Sequence, residues 1–535
     1  MRVDSNQERL SPLLDVVART IIFITVLIGI VYPWGVLVLS ALAPATLASG
    51  AQVLEAVAWS TLDSALVAFV TSTVAAFVVA IVRSLPRRMS MVFDGAFLLP
   101  ATVSPFVISG ALDRGFGRGG IFAPSAMPPF LGHFALLISF GLALFPYAYA
   151  LLRISVWNVP LALIDIGRVN GASEWAIFRN TVWPSLRRGI PFAWMVVFVL
   201  AISDPLVPMM VSYPHPNASH SVWILTTAIG DTSGAARISI ALLIATLSVG
   251  LLTYRTVNSR DLFPTLQGVS NASSRVSFSQ PVALALWPRM LISTLVCVIV
   301  ILPIVVVFVT SRADLTATFP RVISTAVNIS ILTVIGSIII AGSGLWLKAR
   351  RPHSHLIDIL FGLALLIPGA ATGTALSLAY GPASTLAASL TPGARSMLSS
   401  LLMVIAYLTL SAPLTYVSVR AYGSVLPKQD FETALMLGAS VARATRVATL
   451  TWLRQSVVIS VTIVLAVSAV SVAPIMWVTS PSTPLLVPYL YRLVDHADFG
   501  TASTLALLVS GAILLLLLLT SLLLSVRTFR KSARL

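Results

Sequence analysis

Charge is scarce in this chain. Of 535 residues only 10% are Asp, Glu, Lys or Arg, while 57% are hydrophobic. Soluble proteins carry roughly 25% charged residues, so the composition excludes a disordered protein, an ordinary soluble globule and a nucleic-acid-binding domain. Cysteine is nearly missing: the lone Cys297 excludes a disulfide framework and a Cys-based zinc site. Lysine is almost as rare, with 3 Lys against 31 Arg. None of Lys348, Lys428 and Lys531 follows a glycine, so the Gly-Lys-Ser/Thr signature of a phosphate-binding loop is missing. No Ser/His/Asp or paired-carboxylate constellation supplies an enzyme's machinery, so no catalytic residues are assigned. In so apolar a chain the net charge of +16 points to cationic loops on one side of a bilayer, with no nucleic-acid partner.

Long apolar runs are what the sequence has in abundance. A bilayer core of roughly 30 Å needs about 20 apolar residues in a helix. Twelve runs meet that requirement, near 19–42, 62–82, 92–112, 133–152, 190–212, 236–254, 290–310, 325–347, 356–378, 397–418, 456–478 and 502–526. The first lacks a small-residue cleavage site and is expected to stay as a span. With the N-terminus inside and the spans alternating, 27 of the 34 Lys and Arg fall on the inner side. That asymmetry predicts twelve spans with both termini in the cytoplasm.

The chain also echoes itself. Gly171-Ala172-Ser173 recurs as Gly438-Ala439-Ser440, offset by half the chain length. Val207-Pro208-Met209-Met210 recurs as Ala473-Pro474-Ile475-Met476. The expected fold is all-α: about twelve transmembrane helices in two parallel six-helix repeats, since an even number of spans gives both copies one orientation. The repeats are assigned to 1–255 and 289–535, joined by a Ser/Asn/Gln-rich cytoplasmic linker over 256–288.

Each repeat has one long inner loop between its fourth and fifth spans, over 156–190 and 420–456. In the first, Asn158 and Pro160 open a helix that stops near Gly171, a residue suited to a left-handed C-terminal position. Ser173 caps a second helix expected to end before Pro184. Pro427, Asp430, Glu432, Gly438 and Ser440 repeat the scheme. Helix, tight turn and helix make a compact element able to seat in a partner's groove.

The spacing of these loops resembles the "EAA" loop of type I ABC importer permeases: acidic-x-Ala, three residues, Gly, nine residues, aliphatic-x-Leu-Pro. The first copy reads Asp165-Ile166-Gly167, Gly171, then Thr181-Val182-Trp183-Pro184. The second reads Glu432-Thr433-Ala434, Gly438, then Ala448-Thr449-Leu450-Thr451. Asp for Glu and Gly for Ala in the first, and Thr451 for Pro in the second, are departures. Over nearly its whole length the chain is similar to fused permeases of the ferric-iron class. Ser203-Asp204-Pro205, Val478-Thr479-Ser480-Pro481 and Asp498-Phe499-Gly500 add to that likeness, and fused thiamine and aminoethylphosphonate permeases share the layout.

The resemblance implies a permease subunit that hydrolyses no ATP and binds no cofactor. Two copies of an ATP-binding subunit, using ATP and Mg, would take the two loops on the cytoplasmic face of a bacterial cell membrane. An extracytoplasmic binding protein would deliver substrate. Coupling would fall to Asp165, Gly167, Gly171, Ala172, Ser173 and Pro184, and to Glu432, Ala434, Gly438, Ala439 and Ser440. The implied substrate is ferric iron, with thiamine, aminoethylphosphonate or a polyamine as alternatives. A secondary transporter with twelve spans is the rival reading.

Acids inside spans are expensive and often functional. Asp204, read about two-thirds along the fifth span and followed by Pro205, is the candidate for attracting a cation in transit; the competing reading makes it a helix-end residue. Ser203, Ser468 and Ser471 are candidates for the same path. Asp63 and Asp94 fall near span ends and read as solvated or helix-N-terminal residues. His215 and His220, in an outer loop, and His353 and His355 read as loop polarity, so no metal site is assigned.

Overall fold

The computed structural model describes residues 5–44, 49–122, 130–157, 159, 161–211, 216–256, 286–311, 319–350, 355–381, 384, 389–423, 436–438, 461, 473–479, 485–496 and 498–532. Among the described residues every regular element is helical. Among the described residues eight helices are long and apolar enough to cross a bilayer: Asp15–Leu42, Gly50–Arg83, His133–Arg153, Trp175–Ser203, Thr232–Thr253, Trp287–Thr310, Pro320–Lys348 and Gly393–Val417. Large apolar side chains such as Phe23, Leu39, Phe69, Leu291 and Phe308 stand exposed on them, as a lipid solvent requires. The chain is a multi-pass α-helical membrane protein.

Two of the expected spans are not straight. Arg88–Thr102 meets Pro105–Phe116 at 97°, and Leu356–Leu366 meets Gly369–Tyr380 at 92°. Proline explains both bends, because a residue before proline is driven out of the helical region. Ser104, before Pro105, has φ −63° and ψ 140°. Ile367, before Pro368, has φ −74° and ψ 122°. Each second arm is 12 residues long and stops at a glycine in near-identical conformation, Gly117 (φ −69°, ψ 177°) and Gly381 (φ −66°, ψ 177°). If each bent pair is one span, the described residues hold up to 10. The expected span at 456–478 lies outside the described residues except for 461 and 473–478. The run at 502–526 falls within the helix Phe499–Ser532.

The second, fourth and fifth spans pack against one another and bury Phe140, Tyr149 and Phe198. The opening helix leaves this cluster and lies on elements from the far half of the sequence. There Trp346 donates from Nε1 to Asp15 at 2.7 Å, and the Tyr380 hydroxyl donates to the Ile28 carbonyl at 3.0 Å. Trp287–Thr310 makes the reverse crossing, packing on the second and third spans.

Candidate functional site

The first inner loop is built as a hinge of two helices. The helix Leu161–Val169, which carries Asp165 and Gly167, ends in a turn where Gly171 has φ +73°. The Ala172 N–H donates to the Gly167 carbonyl at 3.0 Å, the six-to-one bond that closes a left-handed helix terminus. Ser173 then accepts from the Ala176 N–H at 3.2 Å and caps Glu174–Ile177. Gly167 lies close beneath this second helix: a Cβ there would stand 3.0 Å from Ile177 Cγ1. The loop keeps apolar side chains in the open, with Leu163, Ile166 and Trp175 exposed and Val169 87% exposed.

One boundary differs from the sequence expectation. The second loop helix does not end before Pro184. A π turn over Phe178–Val182 carries it straight into Trp183–Ser203. Pro184 follows directly on that π turn, where the altered bonding pattern accommodates a residue with no N–H to donate. The loop and the fifth span are therefore one continuous rod from Trp175 to Ser203.

Of the second loop only 420–423 and 436–438 are described. Glu432, Ala434, Ala439 and Ser440 lie outside the described residues, as do Ser468 and Ser471. What is described matches the first loop. Gly438 has φ +81°, and Met436, two residues earlier as Val169 is to Gly171, is 90% exposed.

Asp204 sits at a helix break, as the competing helix-end reading expects. The fifth span ends at Ser203, and Asp204 takes φ −86° and ψ 117° because Pro205 follows it. Its Oδ1 accepts from the N–H groups of Leu206 (2.8 Å) and Val207 (3.3 Å), capping the short helix Leu206–Val211. The carboxyl is buried, with one oxygen committed to this cap. Ser203 reaches across the molecule: its Oγ accepts from the Gly369 N–H at 3.1 Å, at the bend of the second bent pair. The other bend is closed in a related way, by Ser510 donating to the Thr102 carbonyl at 3.0 Å.

Two part-buried ion-pair clusters, which a span-end reading of the charges does not announce, stand out in the structure. On the first arm of one bent pair, Asp94 accepts from Arg153 Nε and Nη2, both at 2.9 Å, and from the Tyr149 hydroxyl at 2.5 Å. On the first arm of the other, Asp358 pairs with Arg420, with Lys348 at 2.9 Å, and with the Tyr416 hydroxyl at 2.6 Å. Phe97 lies against Tyr149 with ring centres 5.1 Å apart, and Phe361 stacks on Tyr416 at 4.1 Å. Asp94-x-x-Phe97 answers to Asp358-x-x-Phe361, and Pro146-x-x-Tyr149-x-x-x-Arg153 to Pro413-x-x-Tyr416-x-x-x-Arg420. That second pattern keeps the same offset as the loops, so the signal was present in the sequence. Asp63, expected at a solvated span end, is instead buried against His133 Nδ1 at 2.9 Å.

Among the described residues no group of three His, Cys, Asp or Glu is placed to hold a metal ion. His215 and His353 lie outside the described residues. No protein-family model matches the chain, and no curated protein matches it in sequence.

Proposed function

We propose that the chain is the transmembrane permease subunit of an ATP-binding-cassette importer, with two repeats that form the substrate path between them. The observation that carries this reading is a pair of matching turns, one in each half of the sequence. Each has a left-handed glycine and, two residues before it, an apolar side chain almost wholly exposed, at Val169 and Met436. Exposed apolar tips on a compact turn suit burial in a partner, and two equivalent tips suit two copies of one partner. That partner is an ATP-binding subunit, which uses ATP and Mg and drives alternation of the path between inward- and outward-facing forms. The continuous rod from the first loop into the fifth span gives the loop a lever on the membrane domain.

The two repeats carry six spans each and place both termini in the cytoplasm of a bacterial cell. Asp165, Gly167, Gly171, Ala172, Ser173 and Pro184, with Glu432, Ala434, Gly438, Ala439 and Ser440, form the docking elements. An extracytoplasmic binding protein hands over the substrate. The substrate is ferric iron by resemblance, with thiamine, aminoethylphosphonate and polyamines as its rivals.

Co-purification tests the reading. The protein is expected to retain two ATP-binding subunits per chain, and Gly171→Leu with Gly438→Leu is expected to lose them. Substrate uptake by vesicles that contain this chain and no ATPase would refute it in favour of a secondary transporter.

A further inference from the structure

The two ion-pair clusters lie where each inner loop leaves the membrane domain. In the first half, Arg153 is one turn from the end of the helix His133–Trp157, and the loop begins directly after it. Three contacts converge on that end. Arg153 ties it to Asp94 on the first arm of the bent pair. Arg83, at the end of the second span, donates to the carbonyls of Val156 (2.7 Å) and Val159 (3.0 Å). The returning rod presses on the same place, since a Cβ on Gly189 would stand 2.5 Å from Ser155 Oγ. In the second half Arg420 occupies the corresponding place at the end of Pro392–Gly423, and Lys348 ends the eighth span as Arg83 ends the second.

We propose that Asp94–Tyr149–Arg153 and Asp358–Tyr416–Arg420 are paired positioning clamps that fix the root of each inner loop to the first arm of its bent helix pair, so that loop and arm move as one body. The assignment of the motion to ATP-driven transport rests on the importer reading; the mechanical link does not. The chemistry favours a rigid link over a loose surface pair. The Arg153 fork grips one carboxylate through two nitrogens, which fixes angle as well as distance. Phe97, Tyr149 and Tyr416 are wholly buried, and Phe361 nearly so; these rings hold the tyrosine hydroxyls on the carboxylates from the apolar side. The aspartate sits on the arm and the arginine at the loop root in both halves. Both clusters carry the same tyrosine and phenylalanine at matching places in the two halves.

The test measures the link itself. In a Cys297→Ser background, spin labels are placed at exposed Val92, on the arm, and exposed Val169, on the loop. The full chain is studied in nanodiscs of phosphatidylethanolamine and phosphatidylglycerol. The distance distribution is expected to be narrow in the parent protein and about twofold broader in Asp94→Asn, as a released segment gains loop-scale motion. Arg153→Lys, which keeps the charge but loses the two-nitrogen fork, is expected to broaden it as well, by less than Asp94→Asn. An Asp94→Asn distribution as narrow as the parent's overturns the proposal. If that variant does not fold, Tyr149→Phe replaces it: broadening supports the clamp and parental width overturns it. A second label pair, Val92 and Ile359 on the two arms, reads the transmitted motion with the ATP-binding subunits bound. The parent is expected to change this distance with nucleotide, and Asp94→Asn with Asp358→Asn is expected to keep the subunits and lose the change. A full nucleotide response in that variant overturns the transmitting role. Failure of any ATP-binding subunit to bind refutes the importer reading alone, and the first label pair still decides the clamp.

Discussion

Substituting Gly171 by alanine isolates the energetic demand of the loop's turn. Its φ of +73° lies in the left-handed region, yet a Cβ there would meet nothing within 4 Å. The penalty is therefore all backbone, about 1–2 kcal/mol for an L-residue in that conformation. Restricting the open state of the turn returns about 0.4–1 kcal/mol, which leaves a net loss of about 1 kcal/mol. At about 1.4 kcal/mol per factor of ten, local opening should rise about fivefold. The reporter is the Ala172 amide, whose bond to the Gly167 carbonyl closes the turn. Hydrogen–deuterium exchange over peptides spanning 166–177 should be about fivefold faster in Gly171→Ala, and less so in Gly171→Asn, since Asn visits left-handed geometry more readily. Gly167→Ala is the control for a different mechanism, because its Cβ would press on the movable end of Ile177 at 3.0 Å with an ordinary helical backbone. Unchanged exchange in Gly171→Ala, or an Asn variant as fast as the Ala one, would refute the backbone account. Gly438→Ala, at φ +81° and equally open, should behave alike.

Two further substitutions separate structure from transport. Asp204→Ala removes the cap of Leu206–Val211 and should cost about 0.5–2 kcal/mol, read as a lower melting midpoint of the purified protein. Asp204→Asn keeps an acceptor and should melt close to the parent, so a loss of cation uptake in that variant alone would assign the charge to transport. Ser203→Ala strips the Gly369 N–H of its acceptor and Ser510→Ala strips the Thr102 carbonyl of its donor, each worth about 1–3 kcal/mol where buried. Exchange of the Gly369 amide should quicken in Ser203→Ala, and parental exchange there would show that another group closes the bend.

Run length and hydropathy make the spans legible because lipid imposes one requirement on every crossing helix: about 20 apolar residues with all backbone bonds closed internally. The loop turn is legible for a local reason, since few residues other than glycine accept φ near +73°. The bends are harder to read. Pro100, Pro105 and Pro368 are plain in the sequence, but proline within a span is compatible with a kink or a break. The bends of 97° and 92° are met by tertiary partners, Ser510 and Ser203, that lie far along the chain. Asp204 falls at a break, not within a helix, for the same cause, because the apolar run continues through 212 while Pro205 ends the helix before it. Asp94 and Asp358 escape a local reading because a charge near a span end is ordinarily solvated. Their partners Arg153, Tyr416 and Arg420 lie on a later helix, far along the chain, and no local pattern in one half announces such a contact.

The crossings between the two halves of the sequence constrain how the bends can work. Each bend leaves backbone groups without a helical partner, and a buried group of that kind must find one. The partner at Thr102 comes from Ser510 and the partner at Gly369 from Ser203, so each bend is closed by a hydroxyl from the opposite half. Gly373 adds a steric tie, since a Cβ there would stand 2.8 Å from the Pro474 carbonyl oxygen and 2.6 Å from the Trp477 ring. Trp477 in turn donates from Nε1 to Thr226 at 3.1 Å in the first half. One bend therefore cannot open alone without stripping a buried backbone group or colliding with its neighbour, at about 1–3 kcal/mol for the group stripped. With a clamp on each first arm and a cross-half hydroxyl at each bend, each arm is held at its foot by its own half of the sequence and at its bend by the other.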